Sequence, residues 1–407
     1  MSHIRPRLLV LASTYPRWSG DPEPGFVHEL SKRLANDFDV VVLGPHAAGA
    51  AVDEDLDGVR VLRYRYAPDR LETLVNDGGI TTNLRRSPWK WLLVPGFLLA
   101  MLWSMWRQVR RWRPDVIHAH WLVPQGLVAA LAGLLEPRMP PFLVTSHGAD
   151  LFGLQAAPLQ AFKRFVARRA AGVTVVSRAM LDELARIGVD PGGVAVQPMG
   201  VDLAQRFTPD AAVTRSCDEI LFVGRLVEKK GLRHLIDAMP AILRFHPSAF
   251  LTVAGFGPEE AECRRQAGRL GLGDKVRFVG AVPQAELPAL YRRAAVFVAP
   301  FVQTDSGDRE GLGLVVVEAA GCGCPVVVSD LPSVRDVFRG GSPFAMVPPG
   351  ASESLGVAIN QLLADPIAAS RQAAAVRDSL CVGFDWAIVA GNYANALKAL
   401  MAGTHSR

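Results

Sequence analysis

Short β-branched runs alternate with longer stretches of helical period along almost the whole chain. "RLLVLAST" near the start is apolar over consecutive positions, as a strand buried on both faces requires. The next stretch, "FVHELSKRLA", instead places Val27, Leu30 and Leu34 on one face of a helix. "DVVVLGP" predicts another strand, "DVIHAHW" a further one before the Ala/Leu-rich helix "GLVAALAGLLE", and "PFLVTSHG" and "GVTVVSR" two more. After Asp202, "LAQRFTPDAAVTRSC" is polar without period and reads as a linker. The alternation then restarts. "EILFVGRL", "AFLTVAGFG", "VRFVGAV", "AVFVAPF" and "PVVVSD" predict strands, and "GLRHLIDAMPAILRF", "LPALYRRA" and "GLVVVEAAG" predict helices.

Strand–helix alternation implies a parallel sheet covered on both faces. Two such halves of similar size are expected, residues 1–205 and 206–385. A last helical stretch, within 386–407, is expected to pack back on the first half. Ligands of doubly wound sheets bind outside the carboxyl ends of the strands, and two facing halves would hold theirs in the cleft between them.

The 407 residues exceed one core, and the 50% hydrophobic, 20% charged composition is globular, not disordered. The net charge of +5 is uneven, with 23 Lys and Arg against 19 Asp and Glu up to Asp202. That excess is too small to indicate a nucleic acid. Cys217, Cys263, Cys322, Cys324 and Cys381 show neither zinc spacing nor a disulfide framework, so free thiols in a reducing, cytoplasmic setting are expected. "RLLVLAST" has too short an apolar core for a signal peptide. The run from Trp91 to Trp106, with Pro95 and Gly96 inside, falls short of the ~20 residues that span a bilayer.

Chemistry concentrates at predicted strand tips. In "FVGRLVEKKG", Gly224, Arg225 and Lys230 lie between a strand and a helix start, where an anion is best held; the alternative is two solvated loop cations. In "GFGPEE", Gly255 and Gly257 either admit a ligand to the backbone or make a tight turn. In "EGLGLVVVE", Gly311, Leu312 and Gly313 open a helix whose N–H groups suit a phosphate. Glu310 precedes that helix and Glu318 lies within it. Both would face the ligand held by Arg225 and Lys230, Glu318 as acceptor for a ribose diol. Otherwise Glu310 is a loop charge and Glu318 pairs with an arginine.

The ordered set "HAHW", "VGRLVEKKG", "GFGP" and the E-x7-E stretch "EGLGLVVVE" resembles the retaining glycosyltransferases of family four over nearly the whole chain. The resemblance implies the α/β GT-B fold, two Rossmann-like domains facing across a cleft. It implies transfer of a sugar from a UDP- or GDP-sugar to a hydroxyl acceptor, without metal or cofactor. Arg225 and Lys230 would hold the donor diphosphate, Glu318 the ribose, Glu310 would sit by the transferred sugar, and His120 would reach the sugar or a nearby phosphate. Other outcomes for this fold are a nucleotide-sugar epimerase or a non-catalytic scaffold.

The first loop departs from the family. Its usual Gly-Gly pair is replaced by "RWSGDPEPGF", and the backbone contact is assigned to Gly25, which opens the following helix. His147 and Asp150 in "TSHGADLF" either line the cleft on the acceptor side or, for His147, serve as a bonded turn residue. His118 is expected to face away from His120 and to be structural. Finally, residues 85–113 hold seven cations, no acid and five of the eight tryptophans around an apolar run. Either this segment covers the first sheet or it lies on an anionic membrane surface, in which case the acceptor is lipid-linked, as in glycolipid or surface-polysaccharide synthesis. The two can coexist.

Overall fold

The computed structural model describes residues 5–21, 23–76, 79–153, 155–338 and 345–404. It divides into two compact units, Met1–Met199 with Val389–Arg407, and Gly200–Ile388. The segment expected as a linker is therefore part of the second unit, where Leu203 and Phe207 are buried.

The first unit contains an eight-stranded sheet. Its strands are β1 (Arg7–Leu11), β2 (Asp39–Pro45), β3 (Asp53–Leu56), β4 (Val59–Tyr64), β5 (Val116–His120), β6 (Phe142–Ser146), β7 (Gly172–Val175) and β8 (Val194–Val196), in the order β3-β4-β2-β1-β5-β6-β7-β8. All pairs are parallel except the edge hairpin β3–β4. The order reverses between β1 and β5, so a ligand site is expected beyond their carboxyl ends. The helix Phe26–Leu34 buries Val27, Leu30 and Leu34, with Glu29 in its first turn and Lys32 and Arg33 in its last, as the helix dipole favours.

The apolar run sits in the helix Leu93–Arg111. Leu93, Phe97, Met101, Met105 and Val109, spaced by four, are buried. At about 1.5–3 kcal/mol per buried side chain, this face fixes the helix to its own unit. Gly96 matters here, because a Cβ would stand 2.8 Å from the carbonyl oxygen of Tyr66. The opposite face leaves Leu99 and Trp103 exposed, and the turn before the helix leaves Trp91 and Leu92 exposed. With the preceding turn, Pro88–Arg111 makes a helical stretch of 24 residues, long and apolar enough to cross a membrane by length and composition, and the apolar run Trp91–Trp106 is its middle part.

The second unit holds an all-parallel sheet of β9 (Glu219–Val223), β10 (Phe250–Ala254), β11 (Val276–Gly280), β12 (Val296–Ala299), β13 (Val326–Ser329) and β14 (Ala345–Val347), in the order β11-β10-β9-β12-β13-β14. Here the order reverses between β9 and β12. Ile220, Leu251, Val253, Val296 and Val327 form its core with Leu235, Ile236 and Met239 of the helix Leu232–Phe245.

The last helix, Trp386–Thr404, ends in the first unit. Tyr393 is fully buried there and donates its hydroxyl to the Gln197 carbonyl at 2.9 Å, while Lys398 pairs with Asp37 at 2.6 Å.

Candidate active site

In the second unit, Gly224 and Arg225 follow β9, and Pro300 and Phe301 follow β12, so both flank the reversal of strand order. Gly231 has φ +69°, and a Cβ there would stand 1.8 Å from the Pro300 carbonyl oxygen, so only glycine lets the two strand tips close up. Lys230 then lies with its ammonium 4.6 Å from the Phe301 ring centre and 2.7 Å from Glu310 Oε2. Gly313, φ +84°, caps the helix Leu314–Gly321, and a Cβ on it would touch Phe301 and the Glu310 side chain. The helix N-terminus, Glu310 and Lys230 are thus one constellation. Gly311 and Leu312 are buried beside it.

Cations dominate this constellation. Burial alone would raise the Glu310 carboxyl, but Lys230, Lys229 and Arg225 together outweigh it and hold the group at about 2. Burial lowers Lys230, and Lys229 and Arg225 lower it further against the pull of Glu310. Both directions follow from one cause, a buried site with more positive than negative charge.

Glu318 is also buried, but its partners are neutral. Oε1 accepts from the Gln284 side chain and Oε2 from the Tyr291 hydroxyl, each at 3.0 Å. Burial raises its carboxyl, and those two bonds offset only part of the rise. The arginine pairing considered from sequence is not what holds it. Gly255 and Gly257 sit against neighbouring backbone. A Cβ on Gly255 would stand 1.9 Å from the Gly224 carbonyl oxygen, and one on Gly257 would stand 2.4 Å from that of Leu226. Both glycines are required by the chain's own close packing, with no ligand needed to explain them.

In the first unit, His120 ends β5 and its Nδ1 lies 2.9 Å from His147 Nε2, the rings stacked at 15°. Phe26 and Trp121 each place a ring 5.0 Å from that of His147. His118 does not face away. Its ring centre is 4.1 Å from that of His120, because residues two apart on a strand share a face. His118 Nε2 meets the Thr145 hydroxyl at 2.8 Å. Burial lowers all three imidazoles, His118 and His147 to about 3 and His120 well below its ordinary value, so the set is neutral near pH 7.

Asp150 does not line an open surface. It is 3% exposed, and its carboxylate accepts from the Leu122 N–H at 2.6 Å and the Ser146 hydroxyl at 2.9 Å. It braces the turn after His120, where Trp121 adopts φ +77°, an uncommon conformation for a bulky residue. Gly25 caps the helix Phe26–Leu34 with φ −91°, and a Cβ there would meet nothing closer than 4.0 Å. No neighbour forces glycine at that position.

The comparisons now decide the family. Residues 215–378 match the family model "Glycosyl transferases group 1", and residues 26–205 match "Glycosyltransferase Family 4". The chain is 30% identical to a glycogen synthase of Mycobacterium tuberculosis over 94% of its own length and 92% of that protein's. The chain belongs to glycosyltransferase family four. It is also 32% identical to a phosphatidyl-myo-inositol mannosyltransferase of Mycobacterium leprae, over 70% of this chain and 74% of the other. In fold it resembles the GT-B structure of a sucrose-phosphate synthase from Thermosynechococcus elongatus, with TM-score 0.76 at 23% identity over 98% of this chain and all of that one.

The glycosyltransferase has features that its sequence did not announce. Lys229, beside Lys230, places Nζ 3.1 Å from Asp308 Oδ1. Tyr15 donates toward His28 Nδ1 at 2.7 Å while His28 Nε2 meets Asp57 at 3.0 Å, and Arg63 bonds the Pro16 carbonyl at 3.0 Å. These contacts brace the divergent first loop. Partners 13 to 47 residues apart carry no local pattern. His46, Asp69 and Glu72 offer ligand atoms within 4.8 Å of one another. The Arg65 guanidinium sits on the Asp69 carboxylate and 3.8 Å from Glu72, so that group already holds a cation of its own.

Proposed function

We propose that this enzyme transfers a sugar from a UDP- or GDP-sugar to a hydroxyl acceptor with retention of anomeric configuration. The observation that carries the reading is the buried, cation-rich constellation at the tips of β9 and β12, with Glu310 inside it. Arg225 and Lys230 bind the donor diphosphate and stabilise the charge that develops as it leaves. The helix N-terminus at Gly313 adds its dipole. Glu318, about 7.5 Å along the helix from Gly313, takes the ribose hydroxyls. Glu310 stands by the transferred sugar, which passes through an oxocarbenium-like state. The acceptor attacks from the face that the diphosphate leaves, and the leaving phosphate takes its proton. His120 offers a neutral imidazole to the sugar or a nearby phosphate. The positive charge at the diphosphate is supplied by side chains, so the reading invokes no cofactor or metal.

For the acceptor, the exposed face of the helix Leu93–Arg111 favours a lipid-linked or membrane-borne hydroxyl. Trp91, Leu92, Leu99 and Trp103 are exposed between Lys90 on one side and Arg107, Arg110 and Arg111 on the other. Apolar rings flanked by cations suit the surface of an anionic bilayer. Its buried face holds the same helix to the sheet, so the enzyme would lie on the cytoplasmic membrane face, as a peripheral protein. The M. leprae relative carries a phosphoinositide in its name, whereas the relative matched over most of both chains is named for glycogen, so the acceptor needs a direct test.

A thermal-shift panel of nucleotide-sugars tests the donor. A ligand at 100 times its dissociation constant stabilises by about 2.7 kcal/mol. Proton spectra of the product formed from the stabilising donor then report the anomeric configuration. An inverted product refutes retention. Interconversion of the donor sugar without any acceptor supports an epimerase instead.

A further inference from the structure

Two consecutive lysines grip the loop that carries Glu310. Lys230 pairs with Glu310 itself. Lys229 is 8% exposed, and its ammonium lies 3.1 Å from Asp308 Oδ1 and 3.5 Å from the Arg309 carbonyl oxygen. Its own carbonyl accepts the Val302 N–H at 2.9 Å. Within the loop, Thr304 closes a turn onto Asp308, its N–H donating to the Asp308 carbonyl at 2.9 Å and its hydroxyl at 3.2 Å. The loop is therefore tied at both ends to one residue, Lys229, and Glu310 follows the second tie by two positions. Burying an ammonium is costly unless its bonds are satisfied. Here the Asp308 carboxylate and the Arg309 carbonyl accept them.

We propose that Lys229 is a positioning residue: by fixing residues 302–309 it sets the register in which Glu310 meets Lys230 and the donor. This rests on Glu310 being the working carboxylate of the transfer reaction. Lys229 itself touches neither sugar nor diphosphate. Losing it lets the loop shift while Arg225, Lys230 and Glu318 keep their places, so rate and nucleotide affinity should separate. A misplacement of about 1 Å at a reacting group costs on the order of 100-fold in rate.

The experiment compares Lys229→Met, Asp308→Asn and the exchanged pair Lys229→Asp/Asp308→Lys with Glu310→Gln and the wild type. UDP and GDP affinities are measured by calorimetry, and turnover is measured on whichever of UDP-glucose and GDP-mannose the wild type consumes. Lys229→Met and Asp308→Asn are expected to lower kcat at least tenfold and leave the nucleotide Kd within threefold. The exchanged pair should recover part of kcat, which a general loss of stability would not do. Wild-type kcat in a folded Lys229→Met protein, with Glu310→Gln impaired, overturns the positioning role alone. Normal turnover in Glu310→Gln overturns the reading beneath it. Parallel loss of kcat and nucleotide affinity in Asp308→Asn, unrecovered by the exchange, makes the contact structural and overturns the proposal as well. If Lys229→Met does not fold, Asp308→Asn and the exchanged pair decide by the same criteria.

Discussion

Replacing Glu310 with glutamine keeps the shape of the side chain and removes the charge that Lys230, Lys229 and Arg225 hold. In the folded chain the carboxyl sits at about 2, against an ordinary 4.5, despite a burial that would raise it. At about 1.4 kcal/mol per pH unit, that gap corresponds to about 3 kcal/mol of stability. Its folded value is depressed, so this contribution is fully present above pH 4.5 and is lost as pH falls toward 2. By pH 3.5 roughly 1 kcal/mol of it should be gone. Urea unfolding of the wild type and Glu310→Gln at stepped pH from 7 to 3.5 measures the difference. The wild-type advantage should be flat down to about pH 5 and shrink below it. The same substitution should reduce sugar transfer while leaving nucleoside diphosphate affinity intact, because Lys230 is then free of a competing carboxylate. A wild-type advantage that does not change with pH would refute the claim that the cations hold this carboxylate ionised. Weakened nucleotide binding in Glu310→Gln would reverse the roles of the two glutamates.

Arg225→Ala and Lys230→Ala should each cut turnover roughly 100-fold or more; near-normal steady-state rates in both would remove the diphosphate from this site. Glu318→Gln should weaken UDP or GDP binding about tenfold or more, as loss of a charged hydrogen bond does, and calorimetry reads it directly. Leu99→Ser with Trp103→Ser should release the protein from anionic vesicles in flotation without lowering its melting temperature, since both side chains are exposed; wild-type protein that never floats, even at low salt, makes a soluble acceptor the better reading. His120 is held neutral by burial, so kcat should show no inflection near pH 6.5 that His120→Asn abolishes. Stability, by contrast, should fall below pH 6.5, because the unfolded chain then binds protons that buried His118 and His147 refuse.

The strands that carry the candidate site were legible because each is an apolar run ending in a glycine or proline. "EILFVG" and "AVFVAP" define β9 and β12, and Arg225, Lys230 and Glu310 follow them at fixed offsets. The hairpin β3–β4 was not legible, since "DEDL" has no apolar run and lies at the sheet edge, where one flank needs no partner. β8 and β14 have three residues each, too short to show a period. Glu318 was found as a residue but not in its setting. Its two partners lie 34 and 27 residues away, on a loop and a helix that only the fold brings to it. Gly255 and Gly257 show the converse. Glycine after a strand looks alike whatever requires it, and the close approach of the Gly224 and Leu226 carbonyls is visible only in the fold.

The two units divide the chemistry by charge. In the second, Arg225 and Lys230 outnumber Glu310 in one largely buried group, which has the sign needed to receive a diphosphate, while Lys229 is paired with Asp308. In the first, the side chains at the ends of β5 and β6 are imidazoles that burial keeps neutral, with His120 and His147 stacked and Phe26 and Trp121 tilted against His147. Neutral imidazoles bond hydroxyls without competing for an anion. Breaking the bond between sugar and diphosphate separates charge, and the positive groups belong where the negative charge accumulates. A second cationic cluster near the acceptor hydroxyl would stabilise the starting diphosphate as much as the transition state, and so would add binding without rate.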